Sequence, residues 1–194
     1  MTQEAVTRAA FLLIAMTLSG AVHVLWLRSS TSQQFTWPVD AGCTFRGHRL
    51  FGDNKRVCGF MVLPPATALF FMLLGGSREL LPTVVASALW PLAPWQYAGL
   101  GFVCGLAFML AELPNSFIKR QLGIAPGEVP DSPMLKSIIM LVDRYDSVLG
   151  VLIALSLLVP VPLLTWILVL LLGPVLHGLF GIVLKSLGLK ARAL

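Results

Sequence analysis

Apolar positions along the chain gather into long uninterrupted runs, not the short alternating blocks of a water-soluble domain. The first run extends from Val6 to Leu27, the second from Val57 to Gly76 and the third from Gln96 to Leu113; from Val148 to Leu184 the chain is almost wholly apolar. A bilayer-spanning helix needs about 20 such residues at about 1.5 Å each, so each of the first three runs reads as one span. The last is too long for a single crossing. Pro160 and Pro162 divide it into a helical hairpin, Asp143 to Val159 and Leu163 to Lys185. Pro64-Pro65 should kink or break the second span, while Gly99, Gly101 and Gly105 should let the third approach a neighbour closely. Leu80 to Pro94 is apolar, short and punctuated by proline, and is expected to be re-entrant or interfacial. The pattern predicts an all-α integral membrane protein with about five transmembrane helices, a single polytopic domain over residues 1–194. The first run is expected to stay as a helix, because no small-residue cleavage site follows it.

Composition agrees with the pattern. Hydrophobic residues make up 57% of the chain and charged residues 12%, against about 45–50% and about 25% in soluble domains. A soluble globule and a disordered chain are both excluded. Cys43, Cys58 and Cys104 form an odd set without CxxC spacing, so all three are expected to be reduced and no zinc site is indicated.

The charge distribution adds sidedness. Two polar loops, about 28–56 and 114–146, together with the C-terminal tail hold twelve of the fourteen cations: Arg28, Arg46, Arg49, Lys55, Arg56, Lys119, Arg120, Lys136, Arg144, Lys185, Lys190 and Arg192. Only Arg8 and Arg78 lie elsewhere. The positive-inside bias places both loops and the C-terminus in the cytoplasm and the N-terminus outside, as for a multi-pass protein of the cell inner (cytoplasmic) membrane whose active site faces the cytoplasm. The net charge of +5 then reads as topology and as attraction to phosphate groups at the lipid bilayer, so no nucleic-acid partner is expected.

Seven of the nine acids, Asp40, Asp53, Glu112, Glu128, Asp131, Asp143 and Asp146, lie in or beside the same loops. Acids threaded among cations beside a membrane suit phosphates together with a divalent metal. In Asp143-Arg144-Tyr145-Asp146-Ser147 the i, i+3, i+4 spacing puts Asp143, Asp146 and Ser147 on one helix face. The spacing alone is compatible with metal ligation and with a capping cluster in a helix's first turn. Glu112 precedes Asn115, Ser116 and the dibasic Lys119-Arg120, which fits either a metal ligand beside a phosphate clamp or an interfacial anchor. Gly47 to Lys55 offers glycines, Asp53, Asn54 and Lys55 but no Walker A pattern, and its simplest form is a tight turn with solvated charges. His23 and His177 lie in apolar spans without a carboxylate partner in the same span, and are expected to be satisfied packing or interfacial residues.

Three segments in this order resemble the CDP-archaeol synthase family, CTP:lipid-phosphate cytidylyltransferases related to bacterial CDP-diacylglycerol synthases. They are Pro38-Val39-Asp40-Ala41-Gly42 with Leu50-Phe51-Gly52-Asp53-Asn54-Lys55 and Gly59; Ser116-Phe117-Ile118-Lys119-Arg120-Gln121-Leu122-Gly123-Ile124 with Pro126-Gly127; and Asp143-Arg144-Tyr145-Asp146-Ser147. The chain differs from the family pattern at Arg56-Val57-Cys58, at Ala111-Glu112 and at Asn115, where the family has Thr-Trp-Arg, Gly-Asp and Lys. The resemblance implies transfer of the cytidylyl group of CTP to a membrane lipid phosphate of the isoprenoid ether type, with pyrophosphate released. Phosphatidate as substrate, or a catalytically silent lipid-phosphate-binding homologue, are the alternatives. It further implies Mg²⁺ held by Glu112 and Asp143, with Asp146 in support. Lys55, Lys119 and Arg120 would act on the phosphates, and Asp53, Asn54, Ser116 and Arg144 would bind substrate. Oligomeric state is left open, a homodimer being one arrangement to test.

Overall fold

The structure, a computed structural model, describes residues 2–128 and 130–186. Five long helices dominate it: α1 (Thr2–Leu27), α3 (Val57–Gly76), α5 (Pro94–Gln121), α6 (Pro133–Leu158) and α7 (Leu163–Ser186). Short elements join them. The helix α2 (Ser30–Gln34) and the hairpin β1 (Thr44–Phe45) with β2 (His48–Arg49) lie between α1 and α3; a 3-10 turn (Ser77–Leu80) and α4 (Thr83–Ala88) lie between α3 and α5. Among the described residues, three helices are long and apolar enough to cross a membrane: Thr2–Leu27, Val57–Leu80 with its 3-10 extension, and Pro94–Gln121. In α6 the apolar run is interrupted by Asp143, Arg144 and Asp146, and in α7 the shorter stretch Leu163–Leu176 qualifies only as an apolar helix. The segment expected to be interfacial, Leu80 to Pro94, holds only α4 and irregular chain.

Two expectations need correction. Pro64 and Pro65 lie inside α3 without dividing it. Pro64 packs where α5 comes closest, since a Cβ at Gly105 would fall 2.7 Å from the Pro64 Cα and one at Gly101 2.6 Å from the Thr67 carbonyl oxygen. The neighbouring helix thus braces the stretch in which proline removes backbone hydrogen bonds. Gly99, by contrast, faces open space. The second polar loop is also much shorter than 114–146, because α5 continues through Pro114 to Gln121 and α6 starts at Pro133. Only residues 122–132 connect them. Ser132 caps α6, its hydroxyl accepting the Leu135 N–H at 3.5 Å, so Asp143 stands well inside the helix and the first-turn capping role does not apply.

The helices pack around a core of Phe11, Phe71, Trp90, Tyr97, Leu152 and Leu155. Phe11 meets the Phe71 ring edge-on at 5.0 Å between centroids and Trp90 at 6.0 Å, geometries that aromatic quadrupoles favour. At this end of the bundle Arg8, 6% exposed, donates to the carbonyls of Ala88 at 3.1 Å and Pro160 at 3.0 Å and pairs with Glu4 at 2.5 Å. Its guanidinium also lies 4.9 Å from the centre of the Trp90 ring. The N-terminus, α4 and the α6–α7 turn are thereby tied together, which leaves the polar loops at the opposite end.

Candidate functional site

Two helices, α5 and α6, and the end of the first loop supply the polar end. Asn115 on α5 is buried, and its Nδ2 donates to Asp143 Oδ1 at 2.5 Å and to Asp146 Oδ2 at 3.0 Å, both on α6. One turn earlier on α5, Glu112 Oε1 lies 3.1 Å from Ser147 Oγ, which is also 3.0 Å from Asp146 Oδ1. Lys119 Nζ donates to Asp143 Oδ1 at 2.6 Å, and Lys55, at the end of the first loop, pairs with Glu112. Three carboxylates and two ammonium groups are thus linked through one amide and one hydroxyl. Their formal charges sum to a net negative charge beside apolar helices, which makes the cluster a candidate functional site.

The cluster rims a cavity of about 280 Å³ between α1, α5, α6 and α7. Glu112, Asp143, Arg144 and Ser147 stand at its polar edge, and Leu12, Met16, Phe108, Val151 and Val169 are among its apolar walls. His23 lines it as well. Its Nε2 is buried, has no hydrogen-bond partner among the described residues, and lies 3.4 Å from where a Cβ at Gly59 would stand. The expectation of a satisfied packing residue therefore holds for the packing but not for the hydrogen bonding. The side chains of His177 and Lys185, and the residues Lys190 and Arg192, lie outside what the structure describes.

The first loop is organised around Asp40, whose carboxylate has no exposed surface. It accepts from Gly42 N–H at 3.1 Å and from the N–H groups of Phe51 and Gly52 at 3.0 Å, and Arg49 Nη2 at 2.6 Å completes the shell. Burial on its own would raise its pKa. The Arg49 guanidinium and the three backbone donors overcome that and hold the carboxyl well below the usual carboxylate range. An unfolded Asp titrates near about 3.9, so under acid the unfolded chain binds a proton that the native state refuses. This contribution to stability is complete above about pH 4 and is lost as pH falls toward the folded-state pKa. Asp40→Asn should cost about 1.5–3 kcal/mol at neutral pH and flatten the acid limb of a thermal-melt series, which differential scanning fluorimetry will read.

The predicted site residues separate into groups. Lys55, Glu112, Lys119, Asp143 and Asp146 come together, Ser116 is buried on α5, and Arg144 stands at the cavity edge. Asp53 and Asn54 occupy an exposed turn, where Asp53 pairs with Arg49 at 2.9 Å and neither joins the carboxylate cluster. Gly47 belongs to the hairpin turn, with Arg46 and Gly47 both at positive φ, 52° and 82°; this is the tight turn expected. Asn115, Ser147 and Asp40 were not expected as site residues. A buried asparagine between Glu112 and the Lys119 pair carries no signal in one sequence, whereas Ser147 lay on the predicted face. The cysteines are free, Cys43 exposed and Cys58 and Cys104 buried.

Among the described residues, no three His, Cys, Asp or Glu side chains are arranged around a metal-sized point. Fold and site define a helical membrane protein with an acid-and-lysine centre at the mouth of an apolar cavity. A family model described as CarS-like, CDP-archaeol synthase, matches residues 33–193. A CDP-archaeol synthase of Thermofilum pendens (strain DSM 2475 / Hrk 5) is 30% identical over 187 residues, 95% of this chain and 79% of its own. The chain belongs to the CDP-archaeol synthase family and is thus a membrane enzyme of the nucleotidyltransferase type. No solved structure matches it.

Proposed function

We propose that the protein is a CTP-dependent cytidylyltransferase acting on a membrane lipid phosphate, an isoprenoid ether lipid by family and phosphatidate as the alternative. The observation that carries this reading is the union of three separate segments, around Lys55, Glu112–Lys119 and Asp143–Ser147, at the mouth of a cavity with apolar walls. A lipid chain fits the walls and charged phosphates fit the rim. A lipid phosphate oxygen would attack the α-phosphorus of CTP, forming a new P–O bond as the bond to the β-phosphate oxygen breaks and pyrophosphate leaves. Such a reaction depends on positioning and charge neutralisation and needs no covalent nucleophile.

The carboxylates of Glu112, Asp143 and Asp146 are hard oxygen donors of the type Mg²⁺ selects. Glu112 and Asp143 would hold it with Asp146 in support, and the ion when bound would supply charge neutralisation on the phosphates. Lys55 and Lys119 pair with two of these carboxylates, Lys119 at 2.6 Å from Asp143. On substrate binding both ammonium groups are placed to turn to the phosphates, which accept charge-assisted hydrogen bonds. Asn115 and Ser147 keep the carboxylates oriented.

The deciding assay offers radiolabelled CTP and Mg²⁺ to the purified protein with a panel of ether and ester lipid phosphates. CDP-lipid should form, and Lys119→Ala should lower turnover about tenfold or more, the scale of one charge-assisted contact at about 1.5–3 kcal/mol. A protein that binds lipid phosphate in a salt-dependent way yet forms no CDP-lipid with any divalent metal is a binder instead. Orientation is tested with the native thiol of Cys43, which is exposed in the first loop. A membrane-impermeant maleimide should label it in inverted membrane vesicles and not in intact cells; labelling from outside reverses the proposed sidedness.

A further inference from the structure

One wall of the cavity behind the carboxylate cluster holds a glycine that neither backbone geometry nor helix packing explains. Through Leu12, Leu13, Met16, Thr17, His23 and Val24, α1 turns a single face toward the cavity; at about 100° per residue those positions cover roughly 140° of arc. Gly20 belongs to the same face, within about 10° of its midline. A Cβ built there would meet nothing within 4 Å, so a larger side chain would project into the cavity. Gly20 lies inside the helix and not at a positive φ, so no turn requires it. Gly173, which also lines the cavity, differs: a Cβ on it would stand 3.6 Å from Val148 and 3.8 Å from Leu13, in ordinary packing contact. A glycine inside a helix is less favourable than an alanine, and what Gly20 supplies in return is width.

That width is needed close beneath the polar rim. His23 and Met109 meet at Gly59, and Glu112, on the rim, stands one helical turn beyond Met109 on α5. Gly20 is about 4.5 Å deeper along α1 than His23, and the lining face continues for about 12 Å more to Leu12. Along this stretch the Thr17 hydroxyl donates within its own helix, to the Leu13 carbonyl at 2.6 Å, and Phe108, Val151 and Val169 opposite are apolar. Such walls exclude a phosphate, so the part of a lipid phosphate that passes Gly20 is hydrocarbon near its head. An isoprenoid chain carries methyl branches from the head onward, and a straight chain carries none. We infer that Gly20 is a specificity-determining residue, whose open space takes the first methyl branches of an isoprenoid chain. The inference rests on the cytidylyltransferase reading and names the residue by which its lipid is chosen.

The test compares purified full-length wild type, Gly20→Leu and Gly20→Ala on two lipid phosphates of matched length and ether linkage, one with methyl-branched isoprenoid chains and one with straight chains. Two quantities are read for each lipid: kcat/KM with CTP and Mg²⁺, and protection against thermal unfolding without CTP. Wild type should favour the branched lipid. Gly20→Leu should lose about tenfold or more in kcat/KM and in affinity for it, the scale of one misfitted methyl group in an apolar pocket, with a much smaller loss for the straight lipid and an unchanged KM for CTP. Without ligand both variants should melt at or above the wild-type temperature, since each replaces a helical glycine with a better helix former. Gly99→Leu is the control: a Cβ at Gly99 also meets nothing within 4 Å, but Gly99 is not part of the cavity lining, and both lipids should be handled as by wild type. A wild type indifferent to branching overturns the inference, as do unchanged rates and protection in Gly20→Leu, or equal losses for the two lipids. A lowered melting temperature with a raised KM for CTP marks a structural glycine and counts against it. Should the leucine variant not fold, Gly20→Ala, which adds one methyl group, should still lower the branched-to-straight ratio; an unchanged ratio overturns the inference. A wild type protected by the branched lipid that makes no CDP-lipid would remove the cytidylyltransferase reading, and the protection data alone would then decide the role of Gly20.

Discussion

Asp143→Asn is expected to lower CDP-lipid formation by about 10²-fold or more while leaving the protein folded. Asp143 Oδ1 receives both Asn115 Nδ2 at 2.5 Å and Lys119 Nζ at 2.6 Å, so it joins α5 to α6 and holds an ammonium group in place. The amide retains the shape and removes the charge. Lys119 then loses its counter-ion, and the oxygen set that would bind Mg²⁺ loses one of its carboxylates. Losses at carboxylates of this kind, or at the groups that orient them, run to about 10–100-fold for supporting residues and higher for ligands. Initial rates at saturating CTP, with melting temperatures measured alongside, will check it. A variant that retains the wild-type rate would show that Asp143 only links helices.

Arg8→Met should produce the largest loss of stability, about 3 kcal/mol or more, with the site itself untouched. Arg8 donates to the carbonyls of Ala88 and Pro160 and pairs with Glu4 from a position only 6% exposed. Methionine fills much of the stem's volume and replaces none of these bonds. Each hydrogen bond from a charged donor is worth about 1.5–3 kcal/mol, and the Ala88 carbonyl would lose this donor. Pro160 keeps a donor in Trp90 Nε1 at 2.9 Å, so the cost concentrates on α4 and its junction with α1. Thermal unfolding in detergent should show the drop; a shift of less than a degree would mean that the clamp reorganises around Trp90.

The order of long helices, the gathering of cations and acids at one end, and the three motifs around Asp53–Lys55, Ser116–Arg120 and Asp143–Ser147 were all legible along the chain. These features are repeated or local. Apolar runs report helices because each helix satisfies its own backbone, and the i, i+3, i+4 spacing reports a helix face because the helical period is constant. Three-dimensional packing decided the rest. Pro64, Pro65 and Pro114 each look like a break in one dimension, yet α3 and α5 pass through them, and whether a helix survives proline depends on the neighbour it leans on, as Gly101 and Gly105 show for α3. Asn115 became the link between Asp143 and Asp146 only when α5 and α6 were brought side by side. Lys119 and Arg120 read as one dibasic clamp until the helical turn between them sent the first to the carboxylates and buried the second beneath the Gly52 turn. A sequence records which charges are present and how they are spaced along a helix; which of them meet, and which are buried apart from the others, follows from contacts between segments far apart in the chain.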